Sequence, residues 1–439
     1  MLEGFNSMED ISVLICDDSA LMRNLIGRII DGTEGMKVVG KAMNGQFAVE
    51  KVPLLNPDVM VLDIEMPIMN GIEFLKKRKE MKWDFPVIIL SSVATEGAAV
   101  TMQALELGAA DFITKPNGST SADLSSVADR LTELISSYGC QYARRHGREV
   151  YPPEFFYQQA KMRKAEHLVA EKKGGDFFKD KDITSRPLFG SSRSSTSTTT
   201  STLSARTSIS SISNSARPVL DTKKPTFTWT PPAKKDPAVI TPIRQGGRIE
   251  IIAIGISTGG PNALREVFKD LDPKIRQPIL VVQHMPAGFT TEFANSLNRI
   301  CPLQVQEASD GQELKAGNIY IAPGNYHIFV EKKGFNYVVR LSQAEQRNGH
   351  RPSADVLFES VAKEFQNRAL GVIMTGMGRD GAAEITEMRK QGAWTIGQDE
   401  SSSVVYGMPK VAWELGGVQR QVGLKEMAQN INKMAIEHA

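Results

Sequence analysis

A serine- and threonine-rich segment divides this chain of 439 residues into two parts. Residues 191–215 contain 12 serines and 6 threonines and almost no apolar side chains that a core could bury. Prolines and lysines follow in residues 218–242. Because such a composition cannot offset the entropy of ordering the chain, we expect residues 184–245 to be flexible. A segment this long cannot lie inside a compact domain, so it predicts a linker, assigned to residues 137–247, between two domains.

The remaining composition is ordinary for a globular protein and excludes several classes. The formal net charge is +2, which indicates neither a nucleic-acid partner nor an anionic membrane surface. No apolar run approaches the ~20 residues of a spanning helix, so we expect no membrane insertion. The N-terminal residues lack the basic and apolar regions of a secretory signal. Cys16, Cys140 and Cys301 form neither a metal pattern nor a disulfide framework, which favours a reducing cytoplasm.

Residues 10–136 alternate short apolar runs with helical patterns. The continuous runs have the length of strands buried on both faces: Ile11–Cys16, Val59–Leu62 and Val87–Leu90. The helical pattern after Ser19, a candidate N-cap, places six apolar residues on one face: Leu21, Met22, Leu25, Ile26, Ile29 and Ile30. This alternation predicts a doubly wound parallel sheet of the α/β class.

Carboxylates, a hydroxyl and a lysine follow the predicted strands of this first domain, where parallel sheets bind ligands. They are Asp17, Asp18, Asp63, Ser91 and Lys115. Clustered carboxylates repel one another unless a hard cation joins them, and Mg²⁺ with oxygen ligands suits such a cluster. A carboxylate can also carry a phosphoryl group covalently, with the cation and the lysine neutralising its charge.

The order of these residues resembles the response-regulator receiver family over residues 10–136. The matching motifs are Asp17-Asp18, the Asp63-x-x-Met66-Pro67 turn and Lys115-Pro116. The resemblance implies that a sensor histidine kinase phosphorylates Asp63 and that the domain has the flavodoxin-like fold. The implied Mg²⁺ ligands are Asp17, Asp18, Asp63 and the backbone carbonyl of Glu65. The implied phosphate contacts are Ser91 and Lys115, and the implied switch aromatic is Phe112.

Residues 248–436 return to strand–helix alternation and predict a second α/β domain. The apolar run Ile249–Ile256 leads directly into Ser257, and a helical pattern follows Gly260. A serine on such a turn meets helix N-terminal amides that could hold an oxyanion. The Gly255-x-Ser257-x-Gly259 spacing is that of a nucleophile elbow, which alone is a weak signal. A dinucleotide-binding loop competes with it, but Ser257 takes the place of that loop's middle glycine.

A serine nucleophile needs a base and an acid that orients the base. Three histidines of the second domain are candidates for the base: His284, His327 and His350. We favour His284, because it follows a predicted strand next to the serine strand. We favour Asp380 as the acid, because it lies in a glycine-rich turn after the run Ala369–Met374; Asp310 and Asp355 are less well placed.

Four segments of the second domain resemble the chemotaxis protein-glutamate methylesterases, the CheB family. They are Ile254–Pro261, Gln283–Pro286, His350–Ser353 and Thr375–Gly381. The resemblance implies a Rossmann-like esterase domain with Ser257 as nucleophile, His284 as base and Asp380 as orienting acid. It also places Thr258 and the backbone of Met377 near the oxyanion site. Two features depart from the family pattern: the long linker, and Arg379 where a small polar residue is expected.

The combined resemblance implies a phosphorylation-activated cytoplasmic esterase that adapts chemoreceptors. Its substrates would be glutamate methyl esters on receptor cytoplasmic domains, with methanol released and receptor glutamines also deamidated. Mg²⁺ would serve the receiver, and the esterase chemistry would need no cofactor. In this family the unphosphorylated receiver covers the active site. Two other interpretations stay open: a binding module without hydrolysis, and a nucleic-acid-binding output, for which no helix-turn-helix pattern or basic stripe is found.

Overall fold

The structure, a computed structural model, describes residues 8–92, 95–115, 121–172 and 236–439. The described residues up to Gln158 and those from 236 onward form one compact unit. The serine-rich stretch and most of the predicted linker lie outside the described residues. Within the described parts of the chain, no helix is both long and apolar enough to cross a membrane.

The N-terminal domain is a five-stranded parallel sheet in the order β2-β1-β3-β4-β5, with helices on both faces. This order confirms the predicted flavodoxin-like class. Its elements are β1 Ile11–Cys16, α1 Ala20–Asp31, β2 Met36–Ala42, α2 Gly45–Leu55, β3 Val59–Asp63, α3 Gly71–Glu80, β4 Val87–Ser91, α4 Thr95–Glu106, β5 Asp111–Thr114, α5 Ser121–Arg145 and α6 Pro153–Lys172.

The first helix follows the sequence prediction at its start but not on its whole face. The Ser19 hydroxyl accepts a hydrogen bond from the amide of Met22 at 3.4 Å and so caps α1. Ile26 and Ile30 are buried, whereas Leu21, on the same predicted apolar face, is 80% exposed. The physical reason is its position in the first turn, where α1 leaves the loop at the edge of the sheet.

The first domain extends past its predicted end at residue 136, which falls inside α5. The hydroxyl of Tyr138 donates to the carbonyl of Ala110 at 2.8 Å, and Cys140 is buried. Farther on, Arg148 donates hydrogen bonds to Glu9 and Asp58, which lie beside the starts of β1 and β3. The first residues assigned to the linker therefore belong to the folded domain.

The C-terminal domain contains a seven-stranded parallel sheet in the order β14-β13-β12-β6-β7-β9-β8 and an antiparallel hairpin, β10-β11. Its elements are β6 Ile251–Ile256, α7 Gly260–Phe268, β7 Ile279–Gln283, α8 Thr290–Asn298, β8 Gln304–Glu307, β9 Asn318–Ile321, β10 His327–Lys333, β11 Asn336–Ser342, α9 Ala354–Phe365, β12 Ala369–Ile373, α10 Ala382–Gln391, β13 Trp394–Gln398, α11 Met408–Glu414, β14 Arg420–Val422 and α12 Leu424–Glu437.

The position of β6 in this sheet decides where the site lies. Strand β6 pairs with β12 on one side and with β7 on the other, and all three run parallel. The segments that follow these three strands therefore meet at one edge of the sheet. This arrangement confirms the prediction that His284 follows a strand adjacent to the serine strand.

The last residues of the predicted linker are also folded. The amide of Ile243 donates to the carbonyl of Lys390 at 2.8 Å, and the indole of Trp394 donates to the carbonyl of Gly247 at 3.0 Å. The expectation of flexibility up to residue 245 was wrong for this part, because these backbone groups find partners on the second domain.

Candidate active site

The three residues predicted to act together lie in a hydrogen-bonded row at the edge of the second sheet. Oγ of Ser257 lies 3.0 Å from Nδ1 of His284. Nε2 of His284 lies 2.8 Å from Oδ2 of Asp380. The three residues follow β6, β7 and β12, so neighbouring strands bring them together. The arrangement can move a proton from the serine hydroxyl to the imidazole.

Glycines let the backbone pack closely around Ser257. Gly259 has a φ of 80°, a left-handed conformation that suits glycine, and α7 begins after it. A Cβ on Gly376 would lie 2.8 Å from the Cβ of Ser257. The segment after β12 therefore lies against the serine, and it brings the next residue, Met377, close to the site. Thr258 is buried directly after the serine.

Gln283 ties the serine turn to the histidine strand. Its side-chain amide donates to the carbonyl of Ser257 at 3.1 Å and to that of His284 at 3.0 Å. A Cβ on Gly260 would lie 1.8 Å from Oε1 of Gln283, so a larger residue at this position would have to displace the Gln283 side chain. The two contacts fix the spacing between the serine and the histidine.

The carboxylate of Asp380 is fully surrounded by donors. Oδ1 accepts hydrogen bonds from Oγ of Ser353 at 2.6 Å and Nδ2 of Asn348 at 2.9 Å. Oδ2 accepts one from the amide of Ala354 at 2.6 Å as well as the bond from His284. Burial opposes ionisation, but these bonds and the charge of His284 hold the pKa of Asp380 well below its ordinary value. The acid is therefore a carboxylate at neutral pH.

His350, a candidate base in the sequence, lies against the face of His284 instead. The two rings are stacked with centroids 3.9 Å apart and planes 15° from parallel. Burial, with the neighbouring charge of His284, lowers the pKa of His350 to about 3. The third candidate, His327, is buried on β10, with Nε2 2.9 Å from the carbonyl oxygen of Glu345.

The other acid candidates and the unusual Arg379 lie outside the row. Asp310 pairs with Arg340 at the surface. Asp355 shares the amide of Asn348 with Asp380 and has its pKa raised by burial and by the Asp380 charge. The side chain of Arg379 is exposed. Sequence reasoning assigned no role to Ser353 or Asn348, although Ser353 ends one of the matching motifs.

The N-terminal domain covers the serine turn. Oδ2 of Asp111 accepts a hydrogen bond from the amide of Gly259 at 3.2 Å. Arg130 donates to Oγ1 of Thr258 at 2.8 Å. A cavity of about 380 Å³ remains between the domains, and its walls include Ser257 as well as Asp111 and Arg130. Burial raises the pKa of Asp111.

A second set of contacts lies farther from the serine. Glu106, at the end of α4, accepts hydrogen bonds from Arg299 at 2.6 Å and Ser296 at 3.1 Å. Burial works against ionisation of Glu106, but these two bonds hold its pKa below the ordinary value. The ring of Phe112, the predicted switch aromatic, stacks on Phe289 with centroids 4.8 Å apart.

The acidic residues predicted for the first domain also converge. Carboxylate oxygens of Asp17, Asp18 and Asp63 lie within 4.8 Å of one another. Nζ of Lys115 lies 2.7 Å from Oδ2 of Asp63 and 3.7 Å from Oδ2 of Asp17. Burial raises the pKa of both Asp17 and Asp63. Oδ2 of Asp17 is buried and, among the described residues, accepts no hydrogen bond. This donor set fits a hard divalent cation.

The remaining predicted receiver residues surround this cluster. Oγ of Ser91 lies 2.6 Å from Oγ1 of Thr101, and Ser91 lines a small cavity of about 20 Å³ with Asp63 and Lys115. The backbone of Glu65 donates to Asp63. The Ser91 hydroxyl thus faces α4. The role of the Glu65 carbonyl as a cation ligand stays a prediction. Pro116 lies outside the described residues.

Comparison with known proteins gives matches to both domains and to nearly the full chain. A sequence profile of the response regulator receiver domain matches residues 13–125, and one of the CheB methylesterase family matches residues 252–431. A Treponema denticola protein named protein-glutamate methylesterase/protein-glutamine glutaminase is 50% identical, covering 98% of this chain and 100% of its own. A Treponema pallidum protein of the same name is 46% identical, covering 97% of each chain.

A solved structure also matches the second domain. The CheB methylesterase catalytic domain of Thermotoga maritima is 34% identical, with a TM-score of 0.42, covering 43% of this chain and 99% of its own. The full-length similarity to named relatives, the two profile matches and the two parallel α/β domains agree with one another. The chain therefore belongs to the CheB family, with a receiver domain in front of a methylesterase domain.

Proposed function

We propose that the chain is a phosphorylation-activated serine esterase that hydrolyses glutamate methyl esters on the cytoplasmic domains of chemoreceptors. The observation that carries this proposal is the row of hydrogen bonds from Ser257 through His284 to Asp380. Relatives that match over nearly the whole of both chains carry the name protein-glutamate methylesterase/protein-glutamine glutaminase. Such a substrate is reached from the cytoplasm, where we place the chain.

The first step is attack by Ser257 on the ester carbonyl. Nδ1 of His284 takes the hydroxyl proton, because this nitrogen faces Oγ. The Nε2–H group then donates to Asp380, whose carboxylate stabilises the imidazolium. The ring thus presents Nδ1 to the nucleophile and Nε2 to the acid.

The second step releases methanol and regenerates the serine. His284 returns its proton to the leaving methoxide, and an acyl bond links Ser257 to the glutamate carbonyl. Water, deprotonated by the same imidazole, then attacks this ester and frees the glutamate side chain. With a glutamine substrate the leaving group is ammonia, so the same residues also support deamidation.

The negative oxygen of each tetrahedral intermediate needs donors. Thr258 directly follows the nucleophile near the N-terminus of α7, and Met377 lies next to Gly376, which contacts Ser257. We assign the backbone amides of Thr258 and Met377 to the oxyanion site. Amides fixed in a water-poor site stabilise developing charge without reorganising.

The receiver domain would control access to this site. Asp111 and Arg130 contact the serine turn, so a receptor helix could not reach Ser257 while they stay in place. A histidine kinase would phosphorylate Asp63, and Ser91 and Lys115 would bind the phosphoryl oxygens. Asp17, Asp18, Asp63 and the Glu65 carbonyl would hold Mg²⁺, which neutralises charge when bound. Movement of Phe112 would then loosen its stack with Phe289.

The test is hydrolysis by the purified full-length chain. Receptor-containing membranes are methylated with a radiolabelled methyl group and incubated with wild type and with His284→Gln. We expect volatile methanol from wild type and a loss of at least about 100-fold in the variant, which lacks the base. Binding to these membranes without methanol release would favour the alternative, a binding module without catalysis.

A further inference from the structure

The acid of the proposed triad is held by a segment that contains none of the triad residues. This segment, Asn348–Ala354, leads into α9 and supplies three of the hydrogen bonds to Asp380. The side chains of Ser353 and Asn348 both donate to Oδ1, the oxygen that does not face the histidine. Ser353 is fully buried.

Ser353 is an N-cap residue whose side chain does not cap its own helix. It is the N-cap residue of α9, where a serine side chain ordinarily accepts a bond from an amide of the first turn. Its side chain makes no such bond, and Oγ donates to Asp380 instead. The carboxylate of Asp380 accepts from the first amide of α9, that of Ala354, in its place. Removing the Ser353 hydroxyl therefore takes no capping bond from its own helix.

The two carboxylate oxygens of Asp380 have different side-chain partners: Ser353 and Asn348 donate to Oδ1, and His284 lies against Oδ2. Rotation of a carboxylate about its last torsion is soft and nearly two-fold, so the torsion alone does not fix the plane of the group. The two side-chain donors on Oδ1, together with the Ala354 amide on Oδ2, hold that plane and leave Oδ2 directed at Nε2 of His284. Asn348 adopts a φ of 54°, a conformation that asparagine tolerates better than most residues.

We propose that Ser353 is a positioning residue of the triad: with Asn348, it fixes the Asp380 carboxylate so that Oδ2 meets His284. This inference rests on the proposed function, because it takes Asp380 as the triad acid. Ser353 touches neither the serine nucleophile nor a substrate, and its effect passes through the acid.

The test compares Ser353→Ala, Ser353→Thr and a control, Ser360→Ala, in the full-length chain. Ser360 lies on the same helix and has its own hydrogen bonds, to the carbonyl of Leu357 and from the amide of Val330. We expect Ser353→Ala to lower kcat roughly 10- to 100-fold, the range that corresponds to losing one hydrogen bond to a charged group, with KM changed less than about twofold. Threonine restores kcat, because it keeps the hydroxyl.

A second readout needs no substrate. The proton on Nε2 of His284 should give a downfield resonance, assigned by its loss in His284→Gln. We expect this resonance to shift or broaden in Ser353→Ala and to return in Ser353→Thr, with no change in Ser360→Ala. Equal kcat losses in Ser353→Ala and Ser360→Ala, or an unchanged resonance in Ser353→Ala, would overturn the proposal.

If Ser353→Ala fails to fold, Asn348→Gly is the alternative variant that removes a hydrogen bond to Oδ1 of Asp380. Glycine adopts the same positive φ without the amide that donates to Oδ1, so the same shift and kcat loss are expected. An unchanged resonance in a folded Asn348→Gly variant counts against the proposal. If wild type itself releases no methanol, the proposed function fails, and the resonance still decides the role of Ser353.

Discussion

The carboxyl group of Asp111 in the receiver domain accepts a hydrogen bond from the amide of Gly259, two positions after Ser257, the proposed nucleophile. The buried carboxyl group of Asp111 thus occupies the start of α7, at the positive end of the helix dipole. The substrate carbonyl would bring its own developing negative charge to the same turn. Occupation of this turn by Asp111 therefore fits an inhibited state.

The ion pairs of Glu106 should help to hold this inhibited state. In Glu106→Lys a third cation faces Arg265 and Arg299, which lie 3.6 Å and 2.6 Å from the native carboxylate. A loss of ~1 kcal/mol from such a partly exposed contact shifts a closed–open equilibrium about fivefold. We expect the basal methanol release without phosphodonor to rise by about this factor.

Two variants make this experiment specific. The double variant Glu106→Lys with Arg299→Glu restores an opposite-charge pair and should return the basal rate towards wild type. Glu80→Lys, a charge reversal at an exposed receiver residue that pairs with Lys77 on the same helix, should change nothing. A basal rate in Glu106→Lys equal to that of wild type would argue against the receiver as a cover.

Phosphorylation control should depend on Asp63. Asp63→Ala removes the carboxylate that pairs with Lys115 and that we propose as the phosphoryl acceptor. We expect acetyl phosphate to stimulate wild type and to leave Asp63→Ala at its basal rate. Asp84→Ala, at an exposed aspartate of the same domain, should respond like wild type. Stimulation of Asp63→Ala would place the phosphoryl group elsewhere.

Chelation should separate the two domains. The clustered oxygens of Asp17, Asp18 and Asp63 suit Mg²⁺, while the chemistry proposed for Ser257, His284 and Asp380 would need no metal. We expect EDTA to abolish stimulation by acetyl phosphate without changing the basal rate, and added Mg²⁺ to restore stimulation. If EDTA lowered the basal esterase rate of Asp63→Ala, which lacks the proposed phosphorylation site, the cation would act outside phosphorylation control and the prediction would be wrong.

His350 should make the protein more sensitive to acid. Its pKa is about 3 in the folded state and about 6.5 when unfolded, so between these values the unfolded chain binds the extra proton. Stability therefore rises with pH across this window and is lost as pH falls below about 6.5.

His350→Gln should remove this loss. Between pH 7 and pH 5 we expect wild type to lose up to ~2 kcal/mol more unfolding free energy than the variant. Urea denaturation at the two pH values measures the difference. The pKa shifts of the other buried groups are present in both proteins, so their contributions to the difference in unfolding free energy largely cancel. His284 and Asp380 are the direct neighbours of His350. Equal losses in the two proteins would show that His350 is not held neutral by the fold.

Buried strands and strand-end residues were predictable from the sequence. Val59–Asp63 and Ile279–Gln283 are buried along their whole length, and such strands read as continuous apolar runs. The hydrogen-bonded row of Ser257, His284 and Asp380 could be predicted because each residue follows such a strand. Strand β2 was missed, because it pairs only with β1 at the sheet edge and its residues are partly exposed.

The residues around the triad could not be assigned from the sequence. Ser353 and Asn348 reach Asp380 from a loop, and no local pattern relates a loop residue to an acid 27 or 32 positions away. Asp111 reads as part of a receiver strand, and only the contact between domains brings it to Gly259. His350 was visible as a candidate, but its stacking on His284 depends on tertiary packing.

The most direct test of the central claim is methanol release by Ser257→Ala. Wild type and variant are incubated with methylated receptor membranes, with and without acetyl phosphate and Mg²⁺, and volatile methanol is counted. We predict release by wild type, stimulation by the phosphodonor, and a loss on the order of 10⁴-fold or more in the variant, because the acyl-enzyme cannot form. Equal release by wild type and Ser257→Ala would contradict the assignment of Ser257 as the nucleophile.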